Sequence, residues 1–110
     1  MYVYFATQSQ RLETGRNTVF KIGVTSNVDK RLRLMKYARF QQQGGKDWRL
    51  FGFVVVDGLA KEGTIHDLFS DYYTGKNELF SIPPNVIVER LARTKYVWQT
   101  KLKFWQKITK

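Results

Sequence analysis

Hydrophobic and polar positions change period several times along this chain, and each change predicts an element. Residues 2–6 (YVYFA) form an aromatic, β-branched run that reads as a short strand. Residues 8–17 are polar, contain Gly15 and read as a loop. Residues 18–24 (TVFKIGV) restore the strand pattern, antiparallel to the first, and Gly23 marks a bend or a close backbone approach. A helix follows at Thr25-Ser26-Asn27. Ser26 with Asp29 three residues on has capping-box character, and Val28, Leu32 and Met35 recur at i, i+4 and i+7 as a buried stripe.

Residues 41–47 (QQQGGKD) form a loop, and residues 48–56 (WRLFGFVVV) give the most continuous apolar run. Such a run predicts a central strand covered on both faces. Asp57 suits the N-cap of a second helix reaching about Tyr73, with Ile65, Leu68, Phe69 and Tyr72 on its apolar face. After the turn Gly75-Lys76-Asn77, residues 78–82 (ELFSI) read as an edge strand stopped by Pro83-Pro84. From Asn85 the period becomes helical, with Ile87, Leu91, Trp98, Leu102 and Trp105 mostly in step, as one long helix or as two pieces, Tyr96-Val97-Trp98 being locally β-prone. The order ββαβαβα predicts an α/β sandwich, a small mixed or antiparallel sheet flanked by helices. Residues 1–84 form the main domain, and residues 85–110 a basic, aromatic helical extension packed on it.

Composition narrows the function. At 110 residues there is room for one domain, and 43% hydrophobic content supplies a core. The absence of cysteine excludes disulfide partners and cysteine zinc sites, and one histidine excludes a histidine cluster. No apolar run reaches membrane-spanning length and no leader pattern is visible, so the expected setting is the cytoplasm, with no membrane partner. The net charge of +10 favours a polyanion. It is concentrated in two places. Residues 30–39 hold Lys30, Arg31, Arg33, Lys36 and Arg39 without an acid, and residues 85–110 carry seven Lys and Arg against Glu89 alone. DNA is the expected partner, with RNA an alternative.

The motifs then enter. Tyr4 in Val3-Tyr4-Phe5, Lys21-Ile22-Gly23, Arg31 after Thr25-Ser26-Asn27, and Ala60-Lys61-Glu62 followed by His66 and Phe69 resemble the GIY-YIG nuclease family. The likeness is to its compact branch with KIG as the second motif, and it extends from Tyr2 to about Ile82. Tyr2 replaces the glycine of the first motif, and Lys21 the tyrosine of the second. The resemblance implies a divalent-metal-dependent endonuclease hydrolysing DNA. It assigns Tyr4, Lys21, Arg31, Glu62 and His66 to catalysis, with Glu62 holding one Mg²⁺ or Mn²⁺. Asn77 matches the family's late asparagine. A stand-alone member of this kind suits a phage or mobile-element setting.

Chemistry is compatible with these roles. Arginine contacts nonbridging phosphate oxygens in a bidentate way, a phenol can orient or deprotonate water, and a hard cation accepts few carboxylates. Lys30, Arg33, Lys36, Arg39, Asn77, Lys101, Lys103, Trp105 and Lys107 are candidate nucleic-acid contacts, the tail combining cations with stacking rings. Each residue also has a structural reading: Tyr4 as a core aromatic, Lys21 and Arg31 as solvated cations, Glu62 as helix surface, His66 as a packed histidine. The alternative functions are a weak or inactive nucleic-acid-binding module of the same fold, and a basic adaptor or inhibitor acting by protein contact.

Overall fold

The computed structural model describes residues 1–9, 11–28, 30, 48–57 and 61–100, without the side chains of Lys61 and Glu62. Four strands, β1 (Tyr2–Thr7), β2 (Thr18–Thr25), β3 (Arg49–Val55) and β4 (Leu79–Ile82), form one sheet in the order β3-β1-β2-β4. Every pairing is antiparallel. Helix α1 (Lys61–Leu68) leads into a 3₁₀ turn at Ser70–Tyr72, and α2 (Pro84–Leu91) follows β4.

The expected α/β layering is therefore present, with three local differences. The run at residues 48–56 is an edge strand, not a central one. Its apolar character arises because Val54 faces one core and Phe53 the other. Its outer edge is met by Gln99, which exchanges two backbone hydrogen bonds with Phe53 (2.8 and 2.9 Å). The helix after Asp57 ends at Leu68 instead of Tyr73, closing in the 3₁₀ turn. The last helix starts with Pro84 at its first position, where the missing N–H costs nothing, but stops at Leu91. Beyond it Trp98 is drawn onto the sheet, packing its indole over Gly52 so closely that no β-carbon would fit there.

Both faces of the sheet are covered. On one, Val3, Phe5, Phe20, Ile22 and Val54 meet Ile65 and Phe69 from the α1 region and Ile87 and Leu91 from α2. Aromatic edges organise this layer: Phe5 lies 5.7 Å from Phe69 and 5.3 Å from Trp98, in T-shaped contacts. On the other, Tyr4, Ala6 and Phe53 are closed by Val28. Arg90 ties α2 to the 3₁₀ turn. It donates to both carboxylate oxygens of Asp71 (2.6 and 2.8 Å) and to the Leu68 carbonyl (2.9 Å), with its guanidinium 5.0 Å from the Tyr72 ring centre. The Arg90 hydrogen bonds hold the Asp71 carboxyl below its ordinary range, and Asp71 in turn raises Arg90. No helix among the described residues is long and apolar enough to cross a membrane.

Candidate nucleic-acid interface

The antiparallel register of the two central strands builds the site. Tyr4 lies opposite Gly23, and Ala6 opposite Lys21. Cross-strand partners share a face, so Tyr4 and Lys21 are diagonal neighbours, whose backbones lie about 7–8 Å apart in such a ladder. Gly23 is what lets the Tyr4 ring lie flat across β2: a β-carbon there would fall 2.5 Å from the phenol oxygen and 2.7 Å from Cζ. The glycine of the KIG motif is thus a packing requirement of the tyrosine directly opposite it on the neighbouring strand. Tyr4 is 1% exposed.

The helix expected after Thr25 begins against this same face. Asn27, not Ser26, caps it: the Asn27 Oδ1 accepts from the Lys30 N–H at 3.0 Å, while Ser26 stays exposed. Thr25 fixes the approach by accepting the Asn27 N–H at 3.1 Å. Val28, one residue into the helix, packs with Tyr4, and Lys30 is exposed to solvent. Arg31, Arg33, Lys36 and Arg39 lie outside the described residues, as do Lys101, Lys103, Trp105 and Lys107. Glu62 falls in the first turn of α1, its side chain outside the description.

Lys21 is held from its other side. Its ammonium donates to Glu78 Oε1 at 3.2 Å, and the Ile22 N–H donates to the Glu78 carbonyl at 3.1 Å. The adjacent Ile22 carbonyl accepts from His66 Nε2 at 2.9 Å, which requires the hydrogen of that imidazole to sit on Nε2. The His66 ring also rests 5.1 Å from Phe80. A turn with many internal bonds sets Glu78 in place. Asn77 adopts a left-handed backbone (φ 53°), its carbonyl accepts from the Tyr73 hydroxyl at 2.6 Å, and Thr74 donates to the Leu79 carbonyl at 2.8 Å.

His66, Asn77 and Glu78 therefore line one cleft of about 310 Å³, with Asp67, Ser70, Tyr73 and Phe80 completing it. Two residues singled out from the sequence, His66 and Asn77, meet here, and Lys21 reaches its rim through Glu78. Sequence reasoning assigned Glu78 to the edge strand and gave it no role. No periodicity or short motif couples it to Lys21, 57 positions away, and only the β2–β4 register does so.

The family model of the T5orf172 domain matches residues 1–95, and the chain belongs to that family. No curated protein and no solved structure matches it.

Proposed function

We propose that this T5orf172-domain protein is a divalent-metal-dependent endonuclease that hydrolyses phosphodiester bonds in DNA. Its family suggests the coarser reading, a nuclease-like or DNA-binding module. The observation that carries the finer one is the pairing of Tyr4 and Lys21 on one face of adjacent central strands, with Val28 at the start of the Asn27-capped helix packed on Tyr4. The basic charge of +10 supports a polyanionic substrate.

Hydrolysis requires an in-line water, positive charge where the phosphate gains negative charge, and a proton for the leaving oxygen. An ammonium carries three donors; one from Lys21 is committed to Glu78, which fixes the chain while the others serve a phosphate oxygen. Arg31 would grip nonbridging oxygens in a bidentate manner. Tyr4 would orient the attacking water or move its proton, and His66, pinned to the β2 backbone at the Ile22 carbonyl, is a candidate proton carrier at the sheet edge. Among the described residues no three His, Asp or Glu side chains converge. Glu62 would hold the ion, since a hard cation such as Mg²⁺ is bound through one or two carboxylates. When bound, that ion supplies charge neutralisation at the scissile phosphate.

A second reading is favoured by the burial of Tyr4 and the commitment of Lys21 to Glu78: a DNA-binding module with little or no chemistry. Incubation with supercoiled plasmid and Mg²⁺ or Mn²⁺ separates the two. Cleavage is expected, falling about 10²-fold or more in Glu62→Ala and Arg31→Ala, the scale set by removing one transition-state contact. Intact plasmid with salt-sensitive binding would replace the nuclease reading with the module.

A further inference from the structure

We infer that the loop joining β1 to β2, with Arg49 beside it, is a second site for the phosphate backbone of duplex DNA. It lies apart from the Tyr4–Lys21 face and does not depend on cleavage.

The loop is polar and exposed, yet its backbone is fixed from several directions. The Gly15 N–H donates to Asn85 Oδ1 at 2.7 Å, across 70 positions of sequence, and Gly15 takes a left-handed φ of 80° to present it. Asn17 Nδ2 donates to the Ser81 carbonyl at 3.0 Å. Thr7 Oγ1 accepts from the Ser9 N–H at 3.1 Å, and the Arg49 guanidinium donates to the Ser9 carbonyl. Leu12 packs against the main core. These anchors from β3, β4 and α2 fix the shape in which the loop presents its side chains.

What the anchors hold out to solvent is cationic. Ser9, Arg11, Glu13, Arg16, Asn17 and Thr18 line an open cleft of about 470 Å³. Glu13 is the one acid in it, and it meets Arg16 at 3.5 Å with the arginine side chain 77% exposed. Such an exposed pair is worth little, and a phosphodiester can displace it. Hydroxyl and amide groups beside arginines are the usual backbone-contact set.

Position in the fold selects a duplex over an isolated phosphate. Thr7, Thr18 and Arg49 mark one end of the sheet, and Thr25 and Val55, from which the Asn27-capped helix and the connection to α1 depart, mark the other. The eight residues of β2 at about 3.3 Å each span roughly 23 Å. That length corresponds to about seven base pairs of duplex, counting 3.4 Å per step. A duplex lying along the sheet would place phosphates both at this loop and at the start of the Asn27-capped helix, where Lys30 is exposed; a mononucleotide would not.

The test is fluorescence anisotropy of a labelled 20-base-pair duplex over a series of NaCl concentrations, with chelator present so that cleavage plays no part. Relative to the native protein, Arg11→Ala/Arg16→Ala should flatten the dependence of log K on log salt by about 2, near 0.9 per lost phosphate contact, and weaken binding roughly tenfold at low salt. Arg11→Lys/Arg16→Lys should restore the slope. Asn85→Ala, which releases the loop without changing charge, should weaken binding while keeping the slope. Circular dichroism verifies that each variant is folded. An unchanged slope in the alanine pair, an effect no larger than that of Arg93→Ala/Lys95→Ala, or no duplex binding by the native protein would each overturn the site. Cleavage of plasmid, measured separately, bears on the nuclease reading alone.

Discussion

At Gly23 the phenol of Tyr4 fills the volume that a side chain would need, and the substitution of one hydrogen there is consequential. Gly23→Ala should destabilise the protein by about 1–3 kcal/mol, the range for overpacking a closed core. Urea unfolding measures it, and the cost should largely vanish in a Tyr4→Ala background, since the two residues contend for one space. A full cost in that background would mean that the backbone, not the ring, rejects the methyl. Tyr4, Lys21 and Gly23 were all visible in the sequence because they sit within short motifs on period-2 strands. The partners that define their surroundings were not. Glu78 reaches Lys21 only through the β2–β4 register, and Asn27, its N–H held by Thr25 Oγ1, caps the helix through its side-chain Oδ1 in place of Ser26.

Among the elements, α2 shows how tertiary contacts set a boundary that helical spacing alone leaves open. Ile87 and Leu91 are buried as the period requires, but the chain then bends so that Trp98 can occupy the space over Gly52. A stacking demand of that kind leaves no periodic trace. β3 was misplaced to the centre for a related reason, since two covered faces read the same at an edge as in the middle. The Arg90–Asp71 contact that seats α2 makes an acid-sensitive prediction. The folded Asp71 carboxyl titrates below its ordinary value of 3.8, so its contribution is complete above that value and is lost as the pH falls through the lower, folded one. Asp71→Asn should therefore lower the thermal midpoint at pH 7, and the gap from the native protein should close as the pH drops below 3.8. A gap that persists undiminished in acid would assign the effect to packing of Arg90 on Tyr72 instead.

For the molecule as a whole, the layered α/β architecture and the polyanion-seeking charge were legible early, since both are sums over many residues and tolerate local error. The grouping of His66, Asn77 and Glu78 in one cleft depends instead on a single turn conformation. The bridge between Gln99 and Phe53 carries a consequence of another kind. The family match ends at residue 95, whereas the outer rim of β3 is occupied by a residue beyond it. A chain cut after Lys95 would leave unpaired N–H and C=O groups along that rim and strip Trp98 from Gly52, presenting a ready template for a strand of another molecule. Such a fragment should self-associate in light scattering at concentrations where the full chain does not, and a monomeric fragment would mean that the rim is protected by something else. The last residues before position 100 would then act less as an appendage than as the device that keeps the sheet finite.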